Sequence, residues 1–123
     1  MKVAVYQKLQ SPNLHESWRA KHSRDKKQRK VLRQLLNYEK KPTLPVVITL
    51  NRIGKRKMDF DNLVFAFKGI RDEVADYLIP GLKSGRADDD KRLTFKYTQS
   101  IAKDYSIEVI IDPRDTSCAP VDH

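Results

Sequence analysis

Two carboxylates one residue apart are the first feature of this chain that could do chemistry. Asp59 and Asp61 enter an amphipathic helical pattern, and a run of three aspartates at 88–90 follows about a helix length downstream. Mg²⁺ prefers oxygen ligands in near-octahedral geometry, and in phosphoryl-transfer sites it uses one or two carboxylates together with substrate phosphate. The pattern therefore predicts a divalent-cation site, with Asp59 and Asp61 as catalytic metal ligands.

A third carboxylate is expected from the acidic triplet, because the loop after the second helix can return to the start of that helix or to the sheet beside it. Only one or two of the three side chains need point inward. Asp88, Asp89 and Asp90 are all candidates for this third ligand, and the choice among them stays open at this point. A cation held there could activate water and neutralise charge in the transition state of phosphodiester cleavage.

Lys68 lies seven residues beyond Asp61 in the same apolar pattern. At 100° per residue, seven steps fall about 20° short of two full turns, so an uninterrupted helix places both side chains on one face. Lys68 is therefore a candidate catalytic residue that could reach a phosphate, position water or support the leaving group.

Charge composition indicates a polyanionic partner. The chain has 25 Lys and Arg against 16 Asp and Glu, with a net charge of +9 and a pI near 9.7, which is typical of nucleic-acid binding and, less often, of binding to anionic membrane surfaces. Residues 1–58 carry +13 and residues 59–123 carry −4. The residues expected to contact nucleic-acid phosphates are Arg19, Lys21, Arg24, Lys26, Lys27, Arg29, Lys55, Arg56 and Lys57.

Simpler interpretations compete with each of these features. Asp61 and Asn62 could be only a helix N-cap, the acidic triplet could be a solvated surface run, and the basic loop 55–57 could be a solvated turn. Trp18 could anchor the basic helix by packing or stack on a base, and packing is the favoured role.

Periodicity and turn residues predict an α+β domain with a small mixed sheet and two main helices in the order β-α-β-α-β-β. The last two strands, around a Lys103-Asp104 turn, are expected to form a β-hairpin. The tail from 113 to 123 is expected to be flexible beyond a single domain of residues 1–112. The predicted elements are a strand from Val3 to about Leu9, a helix from His15 to about Lys41, a strand from Val46 to about Ile53, a helix from Leu63 to Leu78, and strands at 93–99 and 105–111.

Composition also narrows the class of protein. No run approaches 18 apolar residues and the N-terminus lacks a signal-peptide core, so we expect a cytoplasmic protein with no membrane partner. A single cysteine, Cys118, provides neither a disulfide framework nor a cysteine-rich zinc site.

The linked motifs resemble the RusA family of Holliday-junction resolvases, which is common in phages and prophages. The resemblance covers roughly residues 10 to 112. Here Phe65 occupies the position at which the family usually has a lysine, with Lys68 one turn later. The matching residues are Asp-x-Asp-Asn-Leu at 59–63, Lys68 within 66–72, the aspartates 88–90 followed by 92–97, and at the N-terminus 11–14, Trp18 and the basic run after it.

This resemblance implies a homodimeric endodeoxyribonuclease of RusA-like fold that binds four-way junction DNA in recombination and repair. It implies Mg²⁺ as the cofactor, with Mn²⁺ as a substitute and no small-molecule cofactor, and paired symmetric nicks as the outcome. By the same resemblance Asp59 and Asp61 are catalytic metal ligands, and Asp88, or its neighbour Asp89, supplies the third carboxylate. An isologous dimer suits a junction of approximate two-fold symmetry, since resolution needs two coordinated cuts. The alternatives are a non-catalytic basic protein that binds junctions or RNA, and a small structural or ribosome-associated basic protein.

Overall fold

The computed structural model describes residues 1–9, 17–81 and 90–114. Within these residues the chain forms four strands and three helices in the order β-α-β-α-α-β-β. The strands are β1 (Lys2–Val5), β2 (Val46–Gly54), β3 (Leu93–Ile101) and β4 (Ser106–Pro113), and the helices are α1 (Trp18–Asn37), α2 (Phe60–Ala66) and α3 (Lys68–Leu78).

The strands form one mixed sheet in the order β1-β4-β2-β3, which confirms the predicted α+β class. Strand β4 runs antiparallel to both β1 and β2, whereas β3 runs parallel to β2. The predicted hairpin of the last two strands is wrong, because β2 lies between them and pairs with each along most of its length. Alternation along the sequence identifies strands but does not say which strand each one pairs with.

The connection between β3 and β4 crosses the end of β2 at Gly54. The Ala102 N–H donates to the Gly54 carbonyl at 2.9 Å. A Cβ on Gly54 would lie 3.1 Å from the Arg52 guanidinium and 3.2 Å from the Tyr105 ring, so a side chain would force its neighbours to shift. Glycine at this strand end therefore permits the close approach that the crossing needs.

The predicted second helix is two helices, separated by Phe67. Helix α2 begins at Phe60, three residues earlier than expected, and α3 begins at Lys68. Phe67 has ψ −1°, well away from the helical value of about −42°. Its side chain is fully buried, and Gly69 two residues later lowers the helix propensity next to the break. A period of 3.6 continues through such a break, which is why the sequence pattern did not reveal it.

Helices α1 and α3 cover one face of the sheet. The later turns of α1 bury Leu32 and Leu36, and α3 buries Val74. Two ion pairs then join the helices, from Arg29 and Arg33 of α1 to Glu73 of α3. The core is therefore a two-layer arrangement in which the buried residues of α1 lie in its second half.

The C-terminal end of β4 is held more firmly than the expected tail. Pro113 belongs to β4, and Arg114 donates to Thr94 Oγ1 at 2.7 Å and to the Lys91 carbonyl at 2.9 Å. The rest of the predicted tail, 115–123, lies outside the described residues. Within the described part of the chain, no helix combines the length and the apolar character needed to cross a bilayer.

Candidate metal and nucleic-acid site

Asp59 and Asp61 lie where β2 leads into α2, and both side chains are exposed. Asp59 is the N-cap residue of α2, but its side chain makes no capping hydrogen bond. Capping by Asp61 or Asn62 is therefore not what the structure shows. The Asp59 carbonyl accepts from the Leu63 N–H, but the side chains of Asp59 and Asp61 have no hydrogen-bond or ion-pair partner among residues 1–9, 17–81 and 90–114. The oxygens of both carboxylates are therefore available to a ligand.

The apolar residues of α2 explain why the two carboxylates face solvent. Phe60 packs edge-on against the Tyr97 ring at a centroid distance of 6.2 Å, and Leu63 is almost completely buried. Successive residues of a helix point in directions about 100° apart, so Asp61 is rotated away from the direction in which Phe60 contacts β3. Asp59 is the N-cap, with ψ 147°, and lies before the first helical turn.

The basic loop Lys55–Lys57 immediately precedes the carboxylates, and its three side chains are exposed. Two side chains from the sheet hold the backbone of this loop. Arg52 Nη1 donates to the Arg56 carbonyl at 2.6 Å, and the Gln99 carboxamide makes hydrogen bonds of 2.7 and 2.8 Å to the N–H and carbonyl of Met58. Three cations therefore lie next to two carboxylates, and the sheet side chains Arg52 and Gln99 hold the backbone of the loop that carries them.

Sequence reasoning missed both of these supporting residues. Arg52 is only 7% exposed and continues the inward-facing alternation of Val46, Ile48 and Leu50, which was a usable signal. Gln99 carried none, since it is one of several polar residues on β3 and lies 41 positions from Met58.

Lys68 lines a cleft between α1 and the α2–α3 junction, and neither Asp59 nor Asp61 lines that cleft. The predicted shared helix face relied on one continuous helix, and the break at Phe67 removes that basis. The cleft has a volume of about 320 Å³. Its charged lining residues are Lys21, Arg24, Asp25, Arg29, Lys68 and Asp72. Arg29 is paired with Glu73 and Arg24 with Asp25, so the exposed Lys21 and Lys68 are the cations of the cleft that favour an anionic occupant.

The first turns of α1 project away from the core. Residues 18–23 are all exposed, whereas the buried residues of this helix begin at Gln28. Trp18 is 75% exposed and stacks on His22 at 5.2 Å with an interplanar angle of 9°. The expectation that Trp18 packs as an anchor is therefore wrong. Its exposed ring is accessible to a base, as the stacking alternative requires. Among the basic side chains of α1 that were predicted to bind phosphate, Arg19, Lys21, Lys26 and Lys27 are exposed, whereas Arg24 and Arg29 are half-buried.

The acidic triplet is described only at Asp90, and the predicted ligands Asp88 and Asp89 lie outside the described residues. Asp90 accepts two hydrogen bonds of 2.9 Å from the Arg92 guanidinium and one from the Arg92 N–H. These hydrogen bonds, the side-chain ones first, lower the pKa of Asp90 to about 2.

Asp90 lies just before Leu93, the first residue of β3, whereas Gln99, which contacts Met58, lies six residues beyond Leu93. At about 3.3 Å per residue this is a separation of about 20 Å. Asp90 therefore does not join Asp59 and Asp61 around one cation in this structure. Within the described part of the chain, no group of three or more His, Cys, Asp or Glu side chains could hold a metal ion.

Comparison of the chain with protein-family models, with curated proteins and with solved structures found no match in any of the three.

Proposed function

We propose that this protein is a Mg²⁺-dependent endonuclease that cuts branched DNA, with Mn²⁺ as a substitute for Mg²⁺. The observation that supports it best is the pair of exposed carboxylates, Asp59 and Asp61, next to the cationic loop Lys55–Lys57. Carboxylates with no partner among the described residues can bind a cation, and the lysines and arginine beside them can bind the phosphate that the cation also contacts.

The donor set fits this cation. Two carboxylates with water and substrate phosphate satisfy the usual coordination of Mg²⁺ in phosphoryl-transfer sites, and Asp88 or Asp89 is proposed to add a third. When bound, Mg²⁺ supplies positive charge to the phosphate oxygens and makes a neighbouring water more acidic. Asp59 and Asp61 hold the cation, while Lys55, Arg56 and Lys57 orient the DNA backbone.

The cleft and the projecting turns of α1 extend the proposed DNA contact beyond the reacting phosphate. Lys68 is proposed to bind a backbone phosphate in the cleft together with Lys21, Arg24 and Arg29. The substrate proposed from the RusA resemblance is four-way junction DNA, cut by a homodimer that makes paired symmetric nicks in the bacterial cytoplasm, from a phage or prophage gene. Cations on the loop, in the cleft and on α1 are suited to such a bulky polyanion.

Asp61→Asn tests this function directly, because it keeps the size of the side chain and removes its charge. We expect loss of Mg²⁺-dependent cleavage of a synthetic four-way junction, with junction binding in EDTA close to that of the unsubstituted protein. Nicked products on a denaturing gel measure cleavage, and fluorescence anisotropy measures binding.

The matched control is Asp112→Asn. Asp112 is also an exposed carboxylate, but it pairs with Val47 near the other end of the sheet, and its removal should leave cleavage unchanged. Cleavage retained by the Asp61 variant, or cleavage by the unsubstituted protein without any divalent metal, contradicts the proposal.

A second candidate is a basic protein that binds branched DNA or RNA without cutting it. The projecting turns of α1 favour it, since exposed cations and the Trp18–His22 stack support binding by themselves. This candidate predicts a complex of the same stability with and without Mg²⁺, and no nicked product in either condition.

A further inference from the structure

The Gln99 side chain holds the residue that precedes the first candidate metal ligand. Its Oε1 accepts from the Met58 N–H at 2.7 Å, and its Nε2 donates to the Met58 carbonyl at 2.8 Å. Both backbone polar groups of Met58 are therefore bound by one carboxamide. Asp59 is the next residue, so the start of its backbone is fixed to β3.

Arg52 orients that carboxamide from the neighbouring strand. Arg52 and Gln99 are partners in the parallel pairing of β2 with β3, and Arg52 Nη1 lies 3.5 Å from Gln99 Oε1 and 2.6 Å from the Arg56 carbonyl. Two donors around Oε1 leave Nε2 directed toward the Met58 carbonyl.

Arg52 is costly to bury. Its Nε is buried without a hydrogen-bond partner in the described part of the chain, and an unsatisfied buried polar group of this kind destabilises the fold. Apolar side chains would fill this strand position at lower cost. The presence of a buried arginine here is explained if Arg52 fixes the geometry of the loop 55–57 and does not serve to stabilise the fold.

The loop needs such support because Lys55, Arg56 and Lys57 are consecutive cations that repel one another. On the far side of Asp59, Phe60 packs on Tyr97. The backbone before Asp59 is thus held by Gln99, while Phe60 after it makes an edge contact to Tyr97 with its ring 62% exposed. Groups that orient metal ligands through their backbone or outer atoms control metal affinity.

We propose that Gln99 is a positioning residue for the metal site at Asp59 and Asp61, with Arg52 orienting its carboxamide. This inference rests on the proposed function. A carboxamide is required because Met58 presents one donor and one acceptor: glutamate offers no donor at neutral pH, and leucine offers neither group.

Gln99→Leu tests the inference with two readouts that do not depend on catalysis. Hydrogen exchange followed by NMR should show the Met58 amide exchanging about tenfold faster, since its partner is gone. Titration with Mn²⁺ followed by electron paramagnetic resonance should show affinity about tenfold lower. Cleavage at saturating Mg²⁺ should recover most of its rate, because the variant changes metal uptake and leaves both carboxylates in place.

Ser100→Ala is the matched control, because Ser100 is the next residue on β3 and its hydroxyl lies on the opposite face, near Asn51. It should change neither readout. Gln99→Glu keeps the acceptor for the Met58 N–H and serves if the leucine variant does not fold; its Mn²⁺ affinity should fall between those of the unsubstituted protein and the leucine variant.

The outcomes separate this inference from the proposed function. If Asp61→Asn loses Mn²⁺ affinity while Gln99→Leu keeps both its affinity and the protected Met58 amide, the positioning role of Gln99 is wrong. If Asp61→Asn binds Mn²⁺ as the unsubstituted protein does, there is no metal site at this loop, and the proposed function fails together with the inference.

Discussion

The surroundings of individual carboxylates decide which of them can bind a cation. Asp90 is engaged by Arg92, and Glu108 is engaged by Lys2 at 2.9 Å and by Asn51 at 2.9 Å. A metal ion would have to displace those donors. The side chains of Asp59 and Asp61 have no such competitor among the described residues. The proposed metal site therefore uses these two carboxylates, whereas Glu108 belongs to the hydrogen-bond network of the sheet.

Glu108 allows a prediction about pH. Hydrogen bonds from Lys2 and then from Asn51 hold the pKa of Glu108 below its usual value of 4.5. A lowered folded-state pKa contributes stability that is fully present above the unfolded-state pKa and is lost as the pH falls through the folded-state pKa. Glu108→Gln should therefore cost about 1 kcal/mol of unfolding free energy at pH 7, with the difference shrinking below pH 4.5.

Urea denaturation at several pH values measures this effect. Asp104→Asn, which removes an exposed carboxylate in the connection after β3, serves as the control and should show no such dependence. An equal loss for Glu108→Gln at pH 7 and pH 3 would contradict the assignment, since the ionised carboxylate would then contribute nothing.

At the scale of elements, helix α1 has two functions along its length. Its later turns bury Leu32 and Leu36 and form ion pairs to Glu73, while its first turns present cations and the Trp18–His22 stack to solvent. An exposed indole among cations is suited to an unpaired base, because every base offers an apolar face for stacking.

Trp18 is the only tryptophan of the chain, so its fluorescence reports its contacts. Adding branched DNA should quench the emission, and Trp18→Ala should weaken binding by at least about fivefold, corresponding to about 1 kcal/mol or more per stacked base. The control is Tyr38→Ala, at the other end of the same helix, where the ring is 89% exposed. Unchanged emission together with unchanged affinity of the Trp18 variant would exclude stacking.

At the scale of the whole molecule, charge is distributed unevenly along the chain, with a net charge of +13 in residues 1–58 and −4 in residues 59–123. Most cations of the first part lie on α1 and on the loop Lys55–Lys57, next to the carboxylates and the cleft. Binding through this surface releases condensed counterions from DNA, so the affinity should fall steeply with salt.

A double substitution locates that effect. Lys26→Gln with Lys27→Gln should reduce the slope of log affinity against log salt by up to about 1.8, at about 0.9 per phosphate contact. Lys40→Gln with Lys41→Gln removes the same charge from the segment after α1 and should leave the slope unchanged. Equal slopes for both double variants would show that α1 is not the DNA-binding surface.

Much of the fold could be predicted because it depends on local patterns. The run from Val46 is β-branched and apolar, so strand β2 was predicted to within one residue at its C-terminal end. Helix α1 lies within its predicted limits, and its docking through the later turns follows from where its apolar residues recur. The split at Phe67 could not be predicted, since it depends on how one buried ring meets the sheet.

The sequence by itself determined the α+β class, the main elements and the proximity of Asp59 and Asp61 to the loop Lys55–Lys57, because neighbours along the chain stay neighbours in any fold. Only the tertiary structure decided that β2 separates the last two strands, that Lys68 faces the cleft and that Gln99 holds Met58. These contacts join residues far apart in sequence. Which strands pair and which buried surfaces meet depends on the whole chain, and the local periodicity of the sequence does not encode it.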